Sequence, residues 1–348
     1  MKKRATTIFT VTYGVLLAGF AVYVLLDSFV IPHRYASAKG AYTEGNTVTE
    51  QEETDGSGQS SGSDADASER DAESWKKGRK KKRSLRGNKG ENSEETLQEQ
   101  DTGSVEYDTV SEYHENGIDI ILKQYRVNDT NVYVADVKLD SADRLKTALA
   151  EDTYGRNIKE ETSVTAANNN AVLAVNGDFY GSRETGYVIR EGVLYRDKSG
   201  KGNEDLVVLK SGEFLIINED DISAQELLNV GAWQVFSFGP ALVTDGKVAV
   251  EEEEEVGRAM QSNPRTAIGV LDDLHYVFVV ADGRTTDNAG LTLRELADFM
   301  KDLGAETAYN LDGGGSSTMI FRGKLINNQT TGGRRTEERS VSDIVYIR

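Results

Sequence analysis

The chain contains no cysteine. Disulfides, thiolate nucleophiles and thiolate metal sites are therefore excluded. Histidine is scarce as well, with His33, His114 and His275 as the full complement. None of the three falls in a polar cluster, so neither a Ser-His-Asp triad nor a His-rich zinc site finds support, and acid–base work passes to carboxylates. Positive charge is also in deficit: 40 lysines and arginines face 58 acids, for a net charge of −18. That balance argues against nucleic acid, whose binding needs a basic footprint. Hydrophobic residues nearly vanish between Ala41 and Gln100. Such a stretch cannot bury enough apolar surface to offset chain entropy, and a disordered tether is expected there.

Three regions follow from these shifts in composition. Residues 1–38 open with Met1-Lys2-Lys3-Arg4 and continue into an apolar run from Ile8 to Leu26. The run is close to the length that crosses a hydrocarbon core. The preceding positive charges predict a cytoplasmic start and an uncleaved single-pass anchor, with the rest of the chain extracytoplasmic. A cleaved signal peptide is the rival, since Ala36-Ser37-Ala38 resembles a cleavage triplet, although it lies far beyond the run. Residues 39–102 form the charged linker. Its acidic part, Thr43–Ser74, carries ten acids against the single base Arg70. Its basic part, Lys76–Arg83 with Arg86, could contact anionic polymers or lipid headgroups, or fold back loosely on the acidic block. Residues 103–348 are long enough for one mixed domain.

In that domain the pattern turns to short β-rich runs. Strands are predicted over Ile118–Tyr125, Val132–Leu139, Ala171–Val175, Thr266–Leu271, Tyr276–Val280, Ala308–Leu311, Thr318–Phe321 and Val341–Ile347. Hairpins are predicted over Gly186–Tyr195 and Leu206–Ile217, and Gln234–Val243, read as one strand, and Lys247–Val250 flank an Asp245-Gly246 hairpin turn. A brief helix is expected over Thr162–Asn168. A second helix is marked by the capping box Thr292-Leu293-Arg294-Glu295, the apolar face Leu293, Leu296, Ala297 and Met300, and the stop at Gly304. The fold class is α+β: a β-rich domain with a few packed helices. The tract Glu251–Glu255 reads as a solvated loop.

Five polar clusters sit at strand ends: Asn176–Tyr180, Asn263–Thr266, Asp282–Arg284, Asn310–Ser317 and Arg339–Asp343. The richest, Asn310-Leu311-Asp312-Gly313-Gly314-Gly315-Ser316-Ser317-Thr318, sets one carboxylate before three glycines and three hydroxyls. Glycine permits φ > 0 and close approach of a ligand to the main chain, and successive amides in such a turn suit an anion. Each cluster alone reads equally as a turn. Together they offer carboxylates, arginines and amides of the kind a phosphorylated sugar requires.

In order along the chain, Asn176–Tyr180, Asn263–Gly269, Asp282–Arg284 and Asn310–Met319 resemble the phosphodiester glycosidase family. That family includes N-acetylglucosamine-1-phosphodiester α-N-acetylglucosaminidase and bacterial envelope and exopolysaccharide-associated proteins. The resemblance covers about residues 141–348. It implies cleavage between a sugar's anomeric carbon and a phosphodiester oxygen. A departing phosphate needs little protonation. It needs charge neutralisation and one carboxylate near the anomeric carbon. Asp312 is the first candidate for that carboxylate, then Asp178 and Asp282. Arg265 and Arg284, with Gly313, Gly314, Gly315 and Ser316, are candidates for phosphate, and Asn176 and Asn310 for sugar hydroxyls or an N-acetyl group. Arg339 and Asp343 are expected to brace the site. No cofactor is required by this chemistry, and no calcium-loop spacing is present, though aspartate oxygens could hold Ca²⁺ or Mg²⁺. Two alternatives remain: a noncatalytic glycan-binding or assembly protein of exopolysaccharide synthesis, and a metal-dependent phosphodiesterase.

Overall fold

Alternation of apolar residues organises the domain. In the strands Ile118–Val127 and Thr130–Leu139, Ile120, Leu122, Ala135 and Val137 point to one core, while Val132 and Val134 point to another. Two-residue turns with positive φ, Asn116-Gly117 and Asn128-Asp129, join Tyr107–Glu115 to Ile118–Val127 and that strand to Thr130–Leu139. The computed structural model describes residues 17–24, 26–27, 30–34, 107–250, 261–330 and 337–348.

Three sheets enclose one central core, and every described strand pair is antiparallel. The eight-stranded sheet runs in the order Lys247–Val248, Ala241–Thr244, Thr307–Asn310, Arg265–Asp272, His275–Ala281, Thr130–Leu139, Ile118–Val127, Tyr107–Glu115. One five-stranded sheet has the order Lys324–Leu325, Met319–Phe321, Leu173–Asn176, Asp343–Ile347, Leu145–Leu149. The other has the order Phe214–Asn218, Glu204–Leu209, Ala232–Phe236, Val188–Arg190, Val193–Arg196. Residues from all three, among them Leu122, Phe278, Val175, Val345, Leu206 and Phe236, meet in the central core. A helix covers the outer face of each sheet: Leu293–Asp302, Thr162–Asn168 and Ala224–Asn229 respectively. The α+β expectation holds.

Most predicted elements appear, including the Thr292 capping box and both hairpins. The run Gln234–Val243 differs. It forms two strands in two sheets, Ala232–Phe236 and Ala241–Thr244, because the chain crosses between sheets at Ser237–Pro240. Gly239 has φ +76° there, and the Gly239–Pro240 peptide is cis. The N-terminal expectation is not supported: no helix among the described residues is long and apolar enough to cross a membrane. Residues 17–24 and 26–27 are helical, and the start of the apolar run lies outside the described residues. So do the linker 39–102, with its basic run, and Glu251–Glu255. Just after the helical stretch, His33–Arg34 pairs with Gly155–Arg156 as a two-stranded ribbon.

Candidate active site

Register brings the polar clusters together. In the eight-stranded sheet, Arg265 pairs with Ala281 and Ala267 with Asn310, so the segments around 264, 282 and 311 end side by side. In the neighbouring sheet, Ile344 pairs with Asn176 and Met319 with Val175. Asn176 then joins the two sheets. Its Nδ2 donates to the Asp312 carbonyl at 2.7 Å and to the Gly177 carbonyl at 3.2 Å. Its Oδ1 accepts from Thr266 Oγ1 at 2.8 Å and from the Thr318 amide at 3.2 Å. Asn176 is fully buried and its hydrogen-bonding capacity is used, which corrects the expectation that it contacts sugar.

Asp312 stands at this junction, in a cleft shared with Lys159, Asp178, Phe179, Ser316, Arg339 and the segment 340–342. Ser316 Oγ donates to its carboxylate at 2.7 Å. Burial pushes the Asp312 carboxyl above the usual range, while the Ser316 hydrogen bond and the charges of Arg339 and Arg183 pull it back. Burial, then Arg339, draws the Lys159 ammonium down, and Asp312 holds it up. One carboxylate thus faces two cleft-lining cations, and Arg339 is exposed.

Asp178 borders the cleft but its carboxylate is committed. It accepts from the Tyr180 amide at 3.0 Å and the Ser237 amide at 3.2 Å, and pairs with Arg190 at 3.0 Å. The same guanidinium meets Asp343 at 2.8 Å. One buried cation between two buried carboxylates leaves an excess negative charge, and burial pushes the Asp343 carboxyl up to about 7. Asp343 reaches the site through Gly177: a Cβ on that glycine would stand 2.3 Å from Asp343 Oδ1. Behind Ser237, which donates to Glu219 at 2.8 Å, burial and the Glu219 charge push Asp205 up to about 9.

Apart from Ser316, the remaining candidates do not line that cleft. Arg265 is buried and donates to the carbonyls of Leu291 at 2.8 Å and Gln261 at 3.1 Å. Burial, with the Arg284 charge, pulls it down to about 10. Its backbone neighbours the glycine turn, with the Gly314 amide donating to Pro264 O at 2.8 Å, but its guanidinium is not part of the Asp312 cleft. The Gly314 amide is thereby withdrawn from an anion-binding role. Gly314 has φ +65°, and the Arg284 guanidinium lies 3.0 Å from where its Cβ would be. Arg284 is exposed and holds Asn263 Oδ1 through Nε and a terminal nitrogen at 3.1 and 2.9 Å. Asn310 is buried and donates to the Gly239 carbonyl at 2.8 Å, so it secures the crossover segment instead of a sugar. Asp282 is buried too. It accepts from the Asn328 amide at 2.8 Å, and burial pushes it up to about 6. It serves the loop at 327–328 and does not line the cleft. Gly313 and Ser316 remain beside the Asp312 carboxylate.

The histidines stand apart: His114 contacts Asp119 and Glu112, His275 contacts Asp136, and His33 contacts Asp27. Among the described residues, no group of three or more His, Asp or Glu side chains is arranged to hold a metal.

The phosphodiester glycosidase family model matches residues 169–348, a span that includes Asn176, Asp178, Arg190, Asp312 and Asp343. The chain belongs to the phosphodiester glycosidase family. It is 31% identical over 201 residues to the SPbeta prophage-derived uncharacterized protein YomE of Bacillus subtilis, covering 56% of this chain and 30% of that one. It is 26% identical over 182 residues to mouse N-acetylglucosamine-1-phosphodiester alpha-N-acetylglucosaminidase, covering 48% of this chain and 34% of the enzyme. The chain therefore spans about a third of the length of the curated relatives it matches. Its fold is similar to that of the catalytic domain of the zebrafish N-acetylglucosamine-1-phosphodiester alpha-N-acetylglucosaminidase, auto-inhibited by its pro-peptide. The TM-score is 0.54 at 22% identity, over 70% of this chain and 87% of that one.

In this domain, sequence reasoning overlooked Lys159, Arg183 and Arg190. Arg190 lies inside a strand that reads as ordinary, and its partners Asp178 and Asp343 are distant in sequence. A buried guanidinium needs counter-charges, but nothing local marks it as buried. Lys159 and Arg183 fall in irregular stretches without periodicity, so only the folded chain shows that both act on Asp312.

Proposed function

We propose that this protein is a membrane-anchored, extracytoplasmic hydrolase that cleaves the sugar–phosphodiester bond of an envelope or extracellular glycan. The observation that carries the reading is the Asp312 carboxylate in a cleft with Lys159 and Arg339. In this mechanism Asp312 lies against the anomeric carbon and stabilises the positive charge that develops there. The bond between that carbon and the phosphodiester oxygen breaks, and the phosphate departs with the electron pair. Lys159 and Arg339 neutralise it, in place of the Arg265 and Arg284 pair expected from sequence. Water attacks the carbon, its oxygen becomes the anomeric hydroxyl, and its spare proton passes to the departed phosphate. The apolar run Ile8–Leu26 after Met1–Arg4 supports the anchor, and the basic run Lys76–Arg83 supports contact with anionic polymers or lipids of the envelope.

Hydrolysis of a hexose 1-phosphodiester in ¹⁸O-water tests the proposal. Label in the sugar is expected. Label in the phosphate would assign P–O cleavage and overturn it, and tight binding without product would assign a noncatalytic glycan-binding protein. Asp312→Asn is expected to lower turnover about a thousandfold while leaving the circular dichroism spectrum unchanged. Full activity in that variant would remove Asp312 from the chemistry.

A further inference from the structure

The turn that follows Phe179 also borders a second, larger cavity of about 280 Å³. Its walls carry Arg156, Arg183, Arg196 and Lys198, with the rings of Tyr154 and Tyr180. Among the described residues, Glu184 is the one acid lining it. Four cations against one acid make a concentrated positive patch on a chain whose net charge is −18. General solubility does not call for such a reversal of sign.

The patch is built. Arg196 is fixed by donating to the carbonyls of Gly186, Tyr180 and Arg183. Arg156 contacts Glu184 at 3.0 Å. Arg183 donates to the Ser237 carbonyl at 3.0 Å, with its guanidinium over the Phe238 ring. Lys198 is exposed. Tyr154 stacks on Tyr180 with ring centroids 5.3 Å apart and lies 4.9 Å from Tyr195. Tyr154 and Tyr180 are buried against each other, so the cations are what the cavity offers a ligand, and they suit an anion.

The cavity and the Asp312 cleft share a wall. Phe179 lines one and Tyr180 the other. Gly181 packs so closely on Ser342, itself in the cleft wall, that a Cβ would lie 2.3 Å from the hydroxyl. Arg183 lines the cavity while its charge also acts on Asp312.

We propose that this cavity is a subsite for a second anionic unit of a polymeric sugar phosphodiester, adjacent to the unit cleaved at Asp312. The proposal rests on the glycosidase reading of the Asp312 cleft. A single phosphodiester presents one charge, whereas a polymer presents another on the neighbouring sugar. Holding both units makes the second contact intramolecular and raises affinity for the polymer selectively.

Calorimetry on the full chain carrying Asp312→Asn tests this without turnover. The probes are a synthetic trimer of hexoses joined by phosphodiesters, the methyl phosphodiester of one hexose, and a neutral trisaccharide. The phosphodiester trimer is expected to bind about tenfold tighter than the single unit, with no gain for the neutral trisaccharide. Lys198→Glu and Arg156→Glu are expected to remove most of that gain, and Lys198→Gln part of it. Equal affinity for trimer and single unit would overturn the proposal, as would a Lys198→Glu variant that weakens both probes alike. Loss of binding to phosphatidylglycerol vesicles with the trimer gain intact would assign the cavity to lipid headgroups and also overturn it. Failure of the glycosidase reading is read separately, as wild-type protein that leaves the trimer uncut.

Discussion

Ser316 Oγ donates to the Asp312 carboxylate at 2.7 Å, and this contact opposes the effect of burial on the acid. Burial raises the Asp312 pKa and the serine lowers it. If the ionised form acts, the rate falls as pH drops through that value. Ser316→Ala removes the lowering contribution. The acidic limb of kcat/KM is therefore expected to move to higher pH. A limb that stays in place, or moves to lower pH, would show that Asp312 ionisation does not govern the rate. At this scale the sequence is least legible. Asn176, Asn310 and Arg265 were recognisable as special, but the distant partners of the two asparagines lie 71 to 142 positions away. The same amide that would grip a sugar can equally bind two backbone carbonyls, and composition does not separate the two uses. Arg339 illustrates the converse: it reads as a brace and lines the cleft.

Between elements, Asn176 is the connection that matters. It fastens the end of Leu173–Asn176 to the Asp312 backbone, to Thr266 of the eight-stranded sheet and to Thr318. Asn176→Ala would leave the Thr318 amide and the Asp312 carbonyl buried without these partners. The expected loss is about 3 kcal/mol in urea unfolding, with turnover falling more than the folded fraction accounts for. A stability change below about 0.5 kcal/mol would mean that the sheets are joined by other contacts. Elements themselves were largely legible. The helix Leu293–Asp302 carries its capping box in plain order, and two-residue period marks the long strands. A second capping box, Ser223 with Glu226, begins Ala224–Asn229 and was available to the same reasoning. The crossing at Ser237–Pro240 was not. Apolar residues continue on both sides of it, so a change of sheet leaves the local pattern intact.

For the molecule as a whole, the ribbon between His33–Arg34 and Gly155–Arg156 ties the N-terminal stretch to the domain. Asn157 Nδ2 also donates to the Ile31 carbonyl at 3.1 Å, and Arg34 to Glu151 at 2.9 Å. A Cβ at Gly155 would lie 2.1 Å from the His33 carbonyl oxygen, so Gly155→Ala is expected to release this contact. Hydrogen exchange at residues 31–34 is expected to accelerate about tenfold or more in that variant. Unchanged exchange would show that the ribbon contributes no protection.

Arg34 and Tyr107 both belong to strands of the folded body. In the proposed anchored form, the few residues between the helical stretch and His33 would fix how high the domain rides above the bilayer. A deletion within residues 35–106 would then leave that height unchanged.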